Sequence, residues 1–457
     1  MCMNIRLYNT ASRSVEDFVP IDENNVRIYS CGPTVYHYAH IGNMRAYVFA
    51  DILQNVLRTK YDTVTHVINI TDVGHLVGDG DDGQDKLEKG AAREGKDVWD
   101  IAKFYTDAFM HDLDLLNIDA DNFTFPRATD YIDEQIKIIE KLERGGYTYK
   151  TSDGIYFDTS LFPAYADFAK IDVAKLNAGE RVDMGEKKNK TDFALWKFSP
   201  TNEQRQMEWS SPWGVGFPGW HIECSAMSEA LLGKHFDIHT GGIDHIPVHH
   251  TNEIAQSECS HNGEKFVNYW CHVNFLNDKT GKMSKSNDDF LRLQTLIDAG
   301  YNPAAYRYML LTTHYRKEVE FSYEGLDAAQ TALKKLSRYM YESAKVKENI
   351  IDATKFRVND EWYEKFLDAV YDDVNTSKAV AVIWEMINAK ADHTYSTILK
   401  MNKVLGLDLS YSEEVVNYTP EVLELIEKRK AARAVKDWAT SDSLREQINA
   451  LGFEVTD

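Results

Sequence analysis

Two short strings carry side chains suited to phosphate chemistry. The first begins at Cys31-Gly32-Pro33-Thr34-Val35-Tyr36 and continues through His40-Ile41-Gly42-Asn43 into an apolar helical pattern. At a strand-to-helix junction, the His40 imidazole and Asn43 amide stand beside the free N–H groups of a helix start, where a polyphosphate binds well. Gly42 removes a side chain where a flat base or ribose approaches. The plainer reading is that His40 and Asn43 do no more than cap a helix. The second string is Lys282-Met283-Ser284-Lys285-Ser286, in a polar stretch after the extended run Trp270 to Leu276. Its two lysines and two hydroxyls suit neutralisation of charge moving onto a departing pyrophosphate. An exposed basic loop is the plainer alternative, yet a specified five-residue string has a chance expectation on the order of 10⁻⁴ in such a chain.

A third group mixes metal-binding types. Cys31, Cys224, His249 and Glu253 offer thiolates, an imidazole and a carboxylate, a set that suits Zn²⁺. His249 and Glu253 share one face if their segment is helical. Cys31 and Cys224 must then arrive from the ends of two distant strands. From the residues alone, buried free cysteines and a His–Glu surface contact account for the same facts. The cysteines, Cys2, Cys31, Cys224, Cys259 and Cys271, are odd in number and spread out, poor material for a disulfide framework. Cys2, Cys259 and Cys271 read as structural thiols. Residues Gly78 to Gly83 fit G-x-G-x-x-G literally, but three Asp side chains there would repel a pyrophosphate, so they read as an acidic surface loop. No H-E-x-x-H or phosphate-loop string occurs, which demotes metalloprotease and P-loop readings.

A strand–helix–strand unit must hold the first string. Val26 to Cys31 is extended and is stopped by Gly32-Pro33. Met44, Val48, Ile52 and Val56 then recur at i+4, with Phe49 and Leu53 beside them, a buried helix face. Val64 to Ile70 is again strand-like. This βαβ pattern predicts a parallel sheet with its ligand site at the carboxyl ends of the strands, where Cys31 sits. Residues from about 130 to 215, with Gly145-Gly146 and Tyr156-Phe157, read as an insertion, and 216–275 as the second half of the sheet. Beyond Glu324 the stripes are helical: Leu333, Leu336 and Met340; Phe366, Val370 and Val374; Val380, Ile383 and Ile387.

With 457 residues, roughly three domains are expected. A hydrophobic fraction of 43% with 12% aromatics excludes a disordered or collagen-like chain. Net charge −21 and a pI near 5.2 argue against a DNA coat or general adhesion to anionic membrane. Lys428 to Arg445 runs against that balance, with a local net charge of +4. Trp438 among these residues offers a ring for an unpaired base. The alternative there is a solvated amphipathic helix with a buried Trp. The start of the chain has no signal-peptide core, and no stretch approaches the ~20 apolar residues of a membrane span, so a cytoplasmic protein is expected.

His40-Ile41-Gly42-Asn43 and Lys282-Met283-Ser284-Lys285-Ser286 resemble the two signature motifs of class I aminoacyl-tRNA synthetases. The surrounding sequence is similar to the cysteinyl-tRNA synthetase family. The similarity runs through Asn69-Ile70-Thr71-Asp72, Asp192-Phe193-Ala194-Leu195-Trp196-Lys197, Pro218-Gly219-Trp220-His221-Ile222-Glu223-Cys224, Gly241-Gly242-Ile243-Asp244, His249-His250-Thr251-Asn252-Glu253 and Asp372-Asp373-Val374-Asn375-Thr376. It covers essentially the whole chain.

The resemblance implies an α/β protein with this arrangement: a Rossmann-type parallel-sheet catalytic domain (1–130 and 216–275), an inserted connective domain (131–215), a stem-contact region bearing the Lys-Met-Ser-Lys-Ser loop (276–330), a helical bundle (331–410) and a small anticodon-binding module (411–457). It implies ATP-dependent activation of L-cysteine to cysteinyl-adenylate and transfer to the 3′ end of tRNA(Cys), with release of AMP and pyrophosphate.

Carried over by position, His40, Asn43, Lys282 and Lys285 are catalytic, and with Gly42, Gly241, Gly242 and Asp244 they bind ATP. Cys31, Thr71, Trp220 and Asp244 surround the amino acid. Cys31, Cys224, His249 and Glu253 hold one Zn²⁺; Mg²⁺ accompanies ATP; and Arg433, Lys436 and Trp438 meet tRNA. A monomer without a membrane partner is expected. Zinc suits the task, because shape alone separates cysteine from serine by only about 10². Thiolate ligation can supply the remainder of a ~10⁴ discrimination, roughly 5.5 kcal/mol in all. A cysteine ligase that acylates a small amine through the same adenylate is the alternative function. A catalytically dead RNA-binding paralogue would not need His40, Asn43, Lys282 and Lys285. Departures from the usual pattern are His37 for the commoner Asp, Phe217 for the commoner Arg, and the chain's end at Asp457 where many relatives carry a further short tail.

Overall fold

The computed structural model describes residues 4–73, 87–88, 90–91, 95–170, 186–200, 205–278, 281–282, 291–348, 357–411 and 420–451. Cys2, the acidic string at 78–83, and Lys285 with the rest of 283–290 lie outside the described residues.

Strand β1 (Val26–Ser30) is buried at Val26, Ile28, Tyr29 and Ser30. It leaves the sheet at Gly32, where an added Cβ would stand 1.5 Å from the Asn69 carbonyl oxygen, so the two chain segments can converge only on a glycine. Helix α1 (Ile41–Leu57) follows. Met44, Val48, Ile52 and Val56 are all buried on it, as their spacing predicts, and so are Phe49 and Leu53. Burial extends to Ile41, Tyr47 and Leu57, so α1 is a core helix rather than a surface one. Strand β2 (Val64–Ile68) runs parallel to β1 in the register Val26↔Val64.

An antiparallel sheet is inserted next. Helix α2 (Ile132–Arg144) precedes strands β3 (Thr148–Lys150), β4 (Gly154–Phe157), β5 (Phe193–Phe198) and β6 (Gly216–Pro218), which pair antiparallel in that order. Ile138, Ile139 and Leu142 of α2 share an apolar cluster with Met227 and Leu232 of helix α3 (Trp220–Leu232). Phe217 is buried with the Arg205 guanidinium 3.7 Å above its ring, so a cation still meets this position from another part of the chain.

Strand β7 (Phe236–Gly242), helix α4 (Thr251–Ser260) and strand β8 (Val267–Val273) complete the parallel sheet. Its order is β8-β7-β1-β2, every pair parallel. A second small sheet follows, in which strand β9 (Leu276–Asp278) lies between β10 (Gly281–Lys282) and β11 (Val319–Glu320). The helices beyond are α5 (Pro303–Leu311), α6 (Tyr323–Glu348), α7 (Asp360–Tyr371), α8 (Thr376–Asn388) and α9 (Thr394–Leu405). Leu333, Leu336, Met340, Phe366, Val370, Val374, Val380 and Ile383 are buried as their stripes predict.

Residues 410–457 form a separate compact unit. Its helices are α10 (Pro420–Ala434) and α11 (Trp438–Ala450). Trp438 is 55% exposed, unlike the buried Trp of a merely structural helix, and the Arg433 guanidinium lies 5.7 Å from its ring centroid. Among the described residues no helix is long and apolar enough to cross a membrane.

Candidate active site and metal centre

His40 has extended backbone (φ −85°, ψ 162°) and is the N-cap of α1. Its Nδ1 accepts from the Asn43 N–H at 3.0 Å, and the Asn43 Oδ1 accepts from the His40 N–H at 3.2 Å. This reciprocal pair satisfies two of the helix start's orphan donors. Capping and ligand binding are not exclusive, because both residues also line a cleft of about 440 Å³ at the carboxyl ends of the sheet strands. That volume is in the ordinary range for a small-molecule site. Gly42 is part of the same wall, and a Cβ there would stand 3.0 Å from the capping Nδ1.

The other walls come from distant parts of the chain. Cys31 follows β1, Thr71 follows β2, Trp220 and Cys224 rise from α3, Gly242 ends β7 and Asp244 follows it, and Asn274 to Leu276 follow β8. Thr71 is fixed from both sides: its N–H donates to the Pro33 carbonyl at 3.0 Å, and its hydroxyl accepts from the Asn69 amide at 2.9 Å. The Trp220 ring lies 4.9 Å from the His249 ring. Gly241 sits differently. A Cβ on it would meet His245 Nδ1 at 2.6 Å and the His250 ring at 2.8 Å, so its missing side chain makes room for those histidines. Only the backbone of Lys282 is described, in β10 opposite Asn277. Arg433 and Trp438 lie in the separate C-terminal unit, as does Lys436, which has a positive φ of 60°.

Cys31, Cys224 and His249 line the cleft, and Glu253 joins them from behind its wall. All four are buried, and their ligand atoms lie within 4.8 Å of one another. A π-helical turn, Ile246–His250, leads into α4 and puts His249 Nε2 2.9 Å from Glu253 Oε1. The outward-facing atoms of these groups are already occupied. His249 Nδ1 pairs with His221 Nδ1 at 2.8 Å, and His239 Nε2 bonds Glu253 Oε2 at 2.8 Å. That is the outer shell a metal site needs to orient its ligands. A second possible donor set, Cys31, His239, His250 and Glu253, shares two members and describes the same centre.

The electrostatics fit a cation. Burial, and then its bond with Cys224, pushes the Cys31 thiol well up. The hydrogen bond from Cys31 in turn lowers Cys224 to about 7, against its burial. Burial would lower His249, but Glu253 and Cys224 outweigh it and lift the imidazole to about 10. Burial opposes ionisation of Glu253, yet His239 and His249 hold it well below the usual carboxylate range. A proton on His249 therefore balances charge that a divalent cation would balance instead.

Sequence reading missed the histidines around this centre. His221, His239, His245, His250 and His272 are scattered over 52 positions and share no metal-ligand spacing. The chain fold stacks them: Cys31 Sγ meets His250 Nε2 at 3.2 Å, His250 Nδ1 meets His272 Nε2 at 2.7 Å, and His272 Nδ1 meets the Thr10 hydroxyl at 2.7 Å. Burial is the main reason that His250 and His272 are driven well below the usual imidazole range, so both are neutral at pH 7.

Residues 17–331 match the family model described as tRNA synthetases class I (C) catalytic domain. Cysteine–tRNA ligase 1 of Burkholderia lata is 50% identical over 100% of this chain and 95% of its own length. The cysteine–tRNA ligase of Novosphingobium aromaticivorans is 46% identical over 99% of this chain and 95% of its own. Among solved structures, methionyl-tRNA synthetase of Mycobacterium tuberculosis bound by methionyl-adenylate shares the fold, with a TM-score of 0.58 at 14% identity over 84% of this chain and 88% of that one. The parallel sheet, the capped signature helix at its cleft and the full-length relatives agree: the chain belongs to the class I cysteine–tRNA ligase family.

Proposed function

We propose that this cleft is where the ligase joins L-cysteine to ATP and then passes the cysteinyl group to the 3′ end of tRNA(Cys). The observation that carries the reading is the meeting, in one cavity, of the His40–Asn43 helix start and the Cys31, Cys224 and His249 side of the thiol–imidazole–carboxylate centre. ATP phosphates dock on His40, Asn43 and the start of α1, and the nucleotide lies along Gly42, Gly242 and Asp244, with Gly241 shaping the wall behind. Cys31, Thr71, Trp220 and Asp244 hold the amino acid. Its carboxylate attacks the α-phosphate in line, and Lys282 and Lys285 neutralise the departing pyrophosphate. Most of the acceleration is positioning and charge stabilisation. Cys31, Cys224, His249 and Glu253 hold Zn²⁺, and Mg²⁺ accompanies ATP. A bound Zn²⁺ would supply a borderline-soft Lewis acid that favours a thiolate ligand over an alcohol. The protein acts in the cytoplasm as a monomer, with Arg433, Lys436 and Trp438 in the unit that reads tRNA.

Charging of a tRNA(Cys) transcript by the zinc-replete protein, with serine and a mismatched tRNA as controls, is the direct test. Cysteine-specific charging is expected. Cysteine-dependent pyrophosphate exchange without charging would point to another acyl acceptor, such as a small amine. Truncation after Leu409, the last residue of the larger compact unit, separates the two steps. One lost base stack is worth about 1–3 kcal/mol, so charging should fall roughly 10- to 100-fold while exchange is spared. Lys285→Ala tests the other end of the mechanism. Loss of one charge-stabilising donor predicts adenylate formation slower by about 10²- to 10³-fold, with KM for cysteine within about twofold. An unchanged activation rate would remove its assigned role.

A further inference from the structure

Arg45 lies on α1 four residues after Ile41, on the same face of the helix, and is only 4% exposed. Its guanidinium partners are backbone carbonyls. Nη1 donates to Asn274 at 2.7 Å and Phe275 at 2.6 Å, and Nη2 donates to Lys317 at 2.6 Å, with longer contacts to Tyr315 at 3.3 Å and His314 at 3.4 Å. Asn274 and Phe275 line the cleft and lead directly into β9; Lys317 precedes β11. The two segments so gripped are themselves paired, since the Val319 N–H donates to Phe275 at 3.0 Å and the Phe321 N–H to Asn277 at 2.7 Å. Asn277 is the residue opposite Lys282 in β10. The start of α1 is tied down a second time, through the Ile41 N–H donated to the Leu291 carbonyl at 2.9 Å and the Tyr306 hydroxyl donated to the Ile41 carbonyl at 2.7 Å.

A buried charge held only by neutral carbonyls carries a desolvation cost, so filling space does not by itself account for an arginine here. The rigid planar fork of Arg, however, spans several acceptors at once and fixes their spacing. We propose that Arg45 is a positioning residue for cysteine activation: it holds the small sheet that carries Lys282 in register with the His40–Asn43 end of α1. The proposal rests on the assignment of Lys282 to the pyrophosphate. Displacement of a catalytic group by about 1 Å can cost on the order of 10²-fold in rate, so a loosened anchor is felt in kcat.

The test is a double-mutant cycle on cysteine-dependent ATP–pyrophosphate exchange in the full-length, zinc-replete protein. Arg45→Lys keeps the charge but not the fork; kcat should fall about tenfold or more, with KM for cysteine within about twofold. In a Lys282→Ala background the same substitution should cost no more than about twofold, because the group it positions is already gone. An equal loss in both backgrounds overturns the proposal. An unchanged exchange rate for Lys282→Ala alone instead overturns the Lys282 assignment, and the positioning role with it. Hydrogen exchange supplies an independent reading: the amides of Asn274, Val319 and Phe321 should exchange faster in Arg45→Lys, while those of Ile28 and Ile238 in the parallel sheet stay protected. Uniform acceleration across both sheets would mean a merely structural role. If the lysine variant fails to fold, Arg45→Gln, which retains a planar amide, is carried through the same cycle.

Discussion

Cys224→Ser should strip the protein of zinc and lower cysteine-dependent ATP–pyrophosphate exchange together, by about 10²- to 10³-fold. The Cys224 thiol is 2% exposed on α3, and its bond from Cys31 brings it to about 7 despite that burial, so it is poised to ionise near neutrality. A serine hydroxyl at the same place stays protonated and is a poor ligand for a borderline-soft cation. With the ion gone, the buried Glu253 carboxylate keeps only His239 and His249 as charge partners. Cys259→Ser is the control. Burial pushes the Cys259 thiol up to about 12, away from metal chemistry, and its replacement should leave zinc content unchanged. Metal content by elemental analysis and exchange rate are read on the same samples. Full activity in a metal-free Cys224→Ser protein would sink the zinc assignment.

What the sequence could say about this centre was limited by geometry. His249 and Glu253 were legible because four residues is a local distance, and their 2.9 Å contact follows from the helical repeat. The pairing of Cys31 with Cys224 crosses 193 positions and depends on which strand ends the sheet brings together, so residue types could only nominate it and the resemblance assigned it. The first strand–helix–strand unit was readable for the opposite reason. Each of its elements is specified by its own periodicity, and a short parallel connection leaves little topological choice. His221 and His250 fell inside matching segments without a role of their own, and His239, His245, His272 and Arg45 gave no signal. Arg45 meets backbone carbonyls, which have no letter in a sequence, and the histidines meet rings, a thiol, a carboxylate and a hydroxyl that mostly come from distant elements.

A second large effect is expected far from the cleft. Arg307→Met should destabilise the larger unit by about 3–5 kcal/mol, the usual consequence of removing one member of a fully buried ion pair. Arg307 of α5 is wholly buried, and Nη2 pairs with Asp51 Oδ2 of α1, itself only 3% exposed. The same guanidinium donates Nε to the Leu405 carbonyl at 2.9 Å and Nη1 to the Leu116 carbonyl at 2.9 Å. Gly406 fits beside it with φ +60°, where a Cβ would stand 2.2 Å from Nη2. Methionine matches the length of the lost side chain but leaves the Asp51 carboxylate buried and unpaired. Asp51→Asn combined with Arg307→Met should therefore recover much of the loss, a non-additivity visible in the denaturation midpoint of the larger unit. A cost below about 1 kcal/mol for Arg307→Met would show that water or a rearranged neighbour replaces the pair.

The cap at the start of α1 also decides a proton. Because His40 Nδ1 accepts from the Asn43 amide, that nitrogen is unprotonated while the helix keeps its first turn, and the ring's hydrogen resides on Nε2. Backbone geometry thus selects the tautomer: with Nδ1 held by the helix, Nε2 is the ring nitrogen left to face other partners as a donor. Protonating Nδ1 would set one donor against another and release the first turn of the helix.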